Sequence, residues 1–263
     1  MENLQKKALF FDIDGTLVGK RGFVPDSTMR ALFRARELGN LVFINTGRTY
    51  KLALCAAKRF ETDGLLCGCG TEVTIGGSSL YEYIVPAKRV EDLKRDCRLM
   101  AFDLCLEGHD GVGYSENLRT PEAKRLADFT DREGALFKDG FEHEFEVNKF
   151  CIQADEKTDL GAFKEEYSTD FDIIDRGGGF FECVPKGHSK ATAIEYVLKH
   201  FDIPADRAYA FGDSTNDISM LKAVPHAVIM GDHDKETEKY ADFITKRLED
   251  DGIEYAMKSL KII

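Results

Sequence analysis

Three short apolar runs, each ending on a residue able to do chemistry, constrain this chain more than any other feature. Lys7 to Phe11 leads into Asp12, Leu41 to Ile44 into Asn45-Thr46, and Ala208 to Phe211 into Gly212-Asp213. A short apolar run of this kind reads as a strand buried on both faces, the habit of parallel sheets. Between the first two runs, Pro25-Asp26-Ser27 opens a helix. Its Met29, Leu32 and Phe33 are spaced i, i+3, i+4, and Gly39 stops it. A helix through Lys51 to Phe60 then leads to Gly64-Leu65-Leu66-Cys67, a third strand. Strand, helix, strand, helix, strand predicts a parallel sheet with helices on both faces.

The pattern changes after residue 72. Glu72 to Ile75 and Leu80 to Ile84 flank Gly76-Gly77-Ser78-Ser79 as a hairpin. From about residue 85 to 183, helical stretches (Val90–Met100, Pro121–Thr130, Asp159–Tyr167) alternate with short strands (Phe150–Ala154, Phe171–Ile174) and a turn at Gly108–Gly113. A stretch of about 100 residues suits a small α+β domain. The first pattern then returns. Ile194, Val197, Leu198 and Phe201 line one helix face, and strands follow at Ala208–Phe211, Ala227–Met230 and Asp242–Thr245. The expected architecture is a Rossmann-like, doubly wound α/β core of residues 1–84 and 185–263. It is interrupted by an inserted α+β cap domain of residues 85–184.

Composition narrows the function. The chain is 43% hydrophobic, enough for a real core. Its 36 Lys and Arg against 47 Asp and Glu leave a net charge of -11. That argues against a nucleic-acid partner, which needs a basic surface. A small anionic partner remains open, because a local cluster of cations overrides the mean field. No run approaches the roughly 18 apolar residues of a membrane span, so no membrane partner is expected. Met1-Glu-Asn-Leu-Gln-Lys-Lys7 lacks the pattern of a secretory signal. Seven scattered cysteines, an odd number, suit a reducing cytoplasm. Cys67 and Cys69 are the one close pair and read as structural rather than metal-binding.

Open parallel sheets bind ligands beyond the carboxyl ends of their strands, at a switch in strand order. Asp12, Thr46 and Asp213 all follow predicted strands and can converge there. Two carboxylates and a backbone carbonyl facing one point suit a hard cation, magnesium being the natural choice. An ionised Asp12 could attack phosphorus. Asp14, in the turn with Gly15, could protonate a leaving oxygen and later deprotonate water. Thr46, in Asn45-Thr46-Gly47-Arg48, could donate its hydroxyl to a phosphoryl oxygen. Lys190, in Lys186-Gly187-His188-Ser189-Lys190, could hold the charges together from the start of a helix. Taken singly, each of these residues reads equally as a turn, cap or surface residue. Their conjunction, in this order, does not.

The segments Asp12-Ile13-Asp14-Gly15-Thr16-Leu17, Thr46, Lys190 and Gly212-Asp213-Ser214-Thr215-Asn216-Asp217 resemble the four motifs of the haloacid dehalogenase superfamily. More narrowly the chain resembles the Cof-type phosphatases, in which a large α/β cap lies between the second and third motifs. Phe181-Glu182-Cys183-Val184-Pro185-Lys186-Gly187 and Ala227-Val228-Ile229-Met230-Gly231 add to the likeness. The resemblance implies magnesium held by Asp12, Asp213 and the main-chain carbonyl of Asp14, with Asp217 supporting the metal or the lysine. It implies that Asn216 contacts the phosphate or Lys190, and that Thr46, Gly47 and Arg48 border the substrate. It departs at Cys69-Gly70-Thr71, where the family commonly has Asn-Gly-Ala.

The expectation is therefore a magnesium-dependent phosphatase of small phosphorylated metabolites, a sugar phosphate or phosphorylated cofactor, working through a phospho-aspartate. A phosphomutase of the same superfamily and a catalytically silent binding or regulatory protein are the alternatives. In the cap, Arg176, before Gly177-Gly178-Gly179, is the candidate for touching an anionic substrate. His109 and Asp110 fall in an expected turn.

Overall fold

Ring stacking marks the centre of the first sheet: Phe10 lies 5.2 Å from Phe43, and Phe11 lies 4.3 Å from Phe211. The computed structural model describes residues 6–263, so the reading of Met1–Gln5 lies outside the described residues. The chain begins with β1 (Ala8–Phe11), α1 (Asp26–Glu37), β2 (Leu41–Asn45), α2 (Tyr50–Ala57), β3 (Gly64–Cys67), β4 (Glu72–Ile75) and β5 (Ser78–Glu82). It continues with α3 (Ala87–Leu99), β6 (Asp103–Glu107), β7 (Val112–Tyr114), α4 (Pro121–Arg132), β8 (Lys149–Gln153), α5 (Leu160–Tyr167), β9 (Phe171–Asp175) and β10 (Phe180–Pro185). It closes with α6 (Lys190–His200), β11 (Ala208–Gly212), α7 (Ile218–Ala223), β12 (His226–Ile229), β13 (Phe243–Ile244) and α8 (Gly252–Ser259).

These elements form two units. One comprises Met1–Gly47, Ala56–Leu80 and Ser189–Ile263; the other comprises Arg48–Cys55 and Tyr81–His188. The eight-stranded sheet runs β13-β12-β11-β1-β2-β3-β4-β5. From β13 to β3 its pairs are parallel, and β4 runs antiparallel to β3. β1 sits between β2 and β11, with Ala8 level with both Leu41 and Ala208. From β1 the early strands extend to one side and the late strands to the other. The strand order therefore reverses at β1 and β11, where such sheets open a crevice. All four residues of β1 and all five of β11 are buried, as continuous apolar runs require.

The second unit carries a five-stranded antiparallel sheet in the order β7-β6-β8-β10-β9. Leu104, Leu106, Phe150, Ile152, Phe181 and Cys183 point from it into a core with Leu93 of α3 and Phe163 and Tyr167 of α5. Strand alternation sends their neighbours Cys105, Glu107, Lys149, Cys151 and Glu182 to the other face. β6 and β10 are strands the sequence reading did not identify. Asp-Leu-Cys-Leu-Glu and Phe-Phe-Glu-Cys-Val-Pro break the apolar run because one sheet face is polar.

All seven cysteines are free thiols. Among the described residues, no helix is long and apolar enough to cross a membrane.

Candidate active site

The site grows from the end of β1. Asp12 extends the ladder, its amide donating to the Phe211 carbonyl at 3.0 Å, and its side chain is buried. The chain then turns back on itself. Leu17 and Val18 amides both donate to the Ile13 carbonyl, and Gly15 donates to Val18 at 2.9 Å. The turn needs a positive φ of 90° at Gly15, which glycine adopts without steric cost. It leaves Asp14 exposed and swings Thr16 inward. Thr16 Oγ1 donates to Asp213 Oδ1 at 2.8 Å, tying the first motif to the end of β11.

Lys190 enters from α6. Ser189 caps that helix reciprocally: Thr192 N–H donates to Ser189 Oγ at 3.1 Å, and Ser189 N–H donates to Thr192 Oγ1 at 2.9 Å. Lys190, the first helical residue, is only 1% exposed. Its Nζ donates to Asp12 Oδ1 and to Asp217 Oδ1, each at 2.6 Å. Asp217 is held from the other side as well. Its Oδ2 accepts the Asp213 amide at 2.9 Å and the Ser214 amide at 3.1 Å. Gly212 allows this, because a Cβ there would lie 2.7 Å from that of Asp217.

The structure thus brings together Asp12, Lys190, Asp213 and Asp217, with the charge of Asp14 close enough to act on Asp12. Thr46 follows β2 beside them; its amide donates to Leu66 at 2.8 Å and its carbonyl accepts from Cys69 at 3.1 Å. Asn216 Oδ1 accepts from Ser214 Oγ at 2.7 Å, within the same loop as Asp213. Gly47 ends the first segment of its unit. Arg48 begins the second unit, its guanidinium 5.6 Å above the Phe129 ring. Arg176, in the loop between β9 and β10, is paired with Glu182, its Nε 3.1 Å from Oε2. His109 stacks on Tyr50 at 4.3 Å, and Asp110 is exposed beside it.

Electrostatics sets the chemistry. Burial, offset in part by Lys190 and reinforced by Asp217 and Asp14, pushes the Asp12 carboxyl up from 3.8 to about 7. Burial, with Asp12 and Asp217 adding repulsion, pushes Asp213 up from 3.8 to about 8. Burial alone would lower Lys190, but Asp12 and Asp217 override it and hold its ammonium firmly charged. Asp12, Asp213 and Asp217 each offer an oxygen, and these atoms lie within 4.8 Å of one another. Three carboxylates against one ammonium leave an excess of negative charge in a dry place. A hard divalent cation fits that donor set, since it would supply the missing positive charge.

Two residues, one at this site and one away from it in the second unit, are missing from the sequence reading. Thr16 was embedded in the first motif, but its partner is 197 positions away. Lys149 lies in the second unit, where its Nζ meets Glu182 Oε1 at 2.5 Å and Glu107 Oε1 at 3.4 Å. Its signal was a lysine opening an apolar strand, where an exposed charge is the ordinary reading.

The sequence model for haloacid dehalogenase-like hydrolases matches residues 9–257. The Bacillus subtilis protein YkrA is 29% identical over 274 residues, covering 99% of this chain and 100% of YkrA. The HMP-PP phosphatase of Yersinia pseudotuberculosis is 28% identical over 240 residues, 84% of this chain and 82% of that enzyme. Among solved structures, the subclass IIB sugar phosphatase BT4131 superposes with a TM-score of 0.79 at 28% identity, covering 98% of this chain and 100% of BT4131. With the motif residues converging at the strand switch and the family model spanning nearly the full length, this chain belongs to the haloacid dehalogenase-like hydrolases.

Proposed function

We propose that this protein is a magnesium-dependent phosphatase that passes the phosphoryl group of a small metabolite ester through Asp12. The observation carrying this reading is the Lys190 ammonium held 2.6 Å from both Asp12 and Asp217, with Asp213 completing a carboxylate cluster. Magnesium, held by Asp12, Asp213 and the Asp14 carbonyl, would supply positive charge against the phosphoryl oxygens.

Asp12 attacks phosphorus, and the bond from phosphorus to the ester oxygen breaks. The departing oxygen takes its proton from the Asp14 carboxyl. Asp14, now a carboxylate, takes a proton from water, which attacks the phosphoryl group and frees Asp12 and inorganic phosphate. The exposed position of Asp14 suits a group that must meet both leaving group and water. Lys190 neutralises Asp12 between turnovers and orients it. The Thr46 hydroxyl and the Asn216 amide are assigned to the phosphoryl oxygens, and Asp217 to holding Lys190 and the Asp213 loop. Gly47 and Arg48 are assigned to the border of the substrate. The names of the sugar phosphatase and HMP-PP phosphatase relatives support a sugar phosphate or phosphorylated cofactor as substrate.

The test is phosphate release from a panel of phosphorylated metabolites, with and without chelator. Release that requires magnesium, together with an acid-stable, hydroxylamine-labile phosphate on Asp12 during turnover, supports the reading. Full activity after exhaustive chelation overturns it. Phosphate returned to the same molecule at another position would select the mutase.

A further inference from the structure

Asn45 closes β2 one residue before Thr46 and is fully buried. Phe11 pairs with Ile44, so Asn45 stands level with Asp12 on the neighbouring parallel strand. Side chains at one level of parallel strands share a face. That is the face of Phe10 and Phe43, on which Phe201, just past α6, packs 5.9 Å from Phe43. From there Asn45 Nδ2 donates to the main-chain carbonyl of Lys190 at 2.9 Å. Lys190 is therefore gripped at both ends by two side chains at one level of the sheet. Asp12 takes its ammonium and Asn45 takes its backbone.

The amide oxygen of Asn45 is buried and has no hydrogen-bond partner among the described residues. A buried acceptor left without a partner weakens the fold. The donor alone is used, and it is aimed at the one helix residue whose side chain enters the carboxylate cluster. The turn after β3 braces the same point. Gly70 packs so closely on the Ser189 carbonyl that a Cβ there would fall well inside 3.0 Å of it.

We propose that Asn45 is a positioning residue for the phosphoryl-transfer site. Its amide fixes the start of α6 relative to β1 and thereby sets where the Lys190 ammonium lies against Asp12. This rests on the proposed role of Lys190, but it makes a separate claim. A shift of α6 by a fraction of an ångström would unbalance two hydrogen bonds of 2.6 Å without exposing anything to solvent. Misplacements of about 1 Å at such sites cost on the order of 100-fold in rate.

The experiment compares Asn45→Ala, Lys190→Ala and the double variant, each purified as the full chain and checked for folding by thermal melting. Asn45→Ala is expected to lower kcat by about 10- to 100-fold with KM within about threefold. Added to Lys190→Ala, it should cost nothing further, because the residue acts only through the lysine. Asn45→Ser, whose hydroxyl is too short to reach the carbonyl, should match Asn45→Ala and serves if the alanine variant does not fold. A crystal structure of the metal-free variant should show the Lys190 ammonium displaced from Asp12 or Asp217. Unchanged kcat with lowered melting temperature, losses that multiply in the double variant, or an unmoved ammonium each overturn the proposal. If the unmodified protein hydrolyses no phosphate ester, the enzymatic reading fails, and the structure of the variant still decides whether Asn45 places Lys190.

Discussion

Gly15 and Asp213 stand so close that no side chain fits between them: a Cβ on Gly15 would lie well inside 3.0 Å of the Asp213 carboxylate. The positive φ of Gly15 adds a second bar to substitution. Gly15→Ala should cost about 1–2 kcal/mol in backbone strain and push Asp213 out of the cluster. The expected outcome is a fall of at least 100-fold in kcat/KM at limiting magnesium, partly recovered at high magnesium. A magnesium titration of activity in both proteins measures it. Unaltered magnesium dependence would separate Gly15 from the metal site.

Asp12→Asn should abolish turnover without weakening the fold. Burial holds the Asp12 carboxyl near 7, so its ionised form is the costly one, and a neutral amide removes that cost. Melting curves at pH 8 without metal should place the variant at or above the unmodified protein. Residual activity above a few per cent would remove Asp12 from the nucleophile role. Asp14→Asn should instead slow turnover by roughly 10²–10⁴, most strongly for esters with poor leaving groups.

The raised acids also make the metal-free protein sensitive to alkali. Asp12 and Asp213 titrate near 7 and 8 when folded, against 3.8 ordinarily. Between about pH 4 and 8 the folded state therefore binds more protons than the unfolded one, and stability falls as pH rises. Magnesium should reverse this by binding the ionised cluster, with an affinity that weakens as pH drops below about 8. Melting temperature against pH, with magnesium and with chelator, reads both effects. A flat metal-free profile from pH 5 to 8 would contradict them.

In the second unit the sign is opposite. Burial would raise Glu182, but Lys149 and Arg176 override it and hold the carboxyl down at about 2, from 4.5. Its contribution to stability is complete above pH 4.5 and is lost as pH falls toward 2. Glu182→Gln should flatten that acid limb. Lys149→Met should destabilise by about 3–5 kcal/mol at neutral pH, because it removes the buried ammonium that Glu107 and Glu182 share and leaves Arg176 alone to balance Glu182. Urea unfolding at pH 7 measures the loss. A difference below about 1 kcal/mol would show that solvent reaches the cluster. Arg176→Ala should also register here, through its bond to Glu182.

The apolar runs before Asp12, Asn45-Thr46 and Asp213 determined the parallel core sheet, because a strand buried on both faces must be continuously apolar. Local chemistry likewise announced the turn at Gly15 and a helix starting near Lys190. The second unit was less legible. β6 and β10 carry charges on one face, so their periodicity reads as loop until Glu107 and Glu182 are seen to be balanced by Lys149 and Arg176 across the sheet. Only the tertiary structure could decide which groups within the site hold one another. Lys190 is 178 residues from Asp12, Thr16 is 197 from Asp213, and Asn45 is 145 from the Lys190 carbonyl. Sequence spacing places a residue on a strand end or a helix turn. Which distant group lies within hydrogen-bond reach, and how far burial then moves its proton, depends on how strands and helices pack.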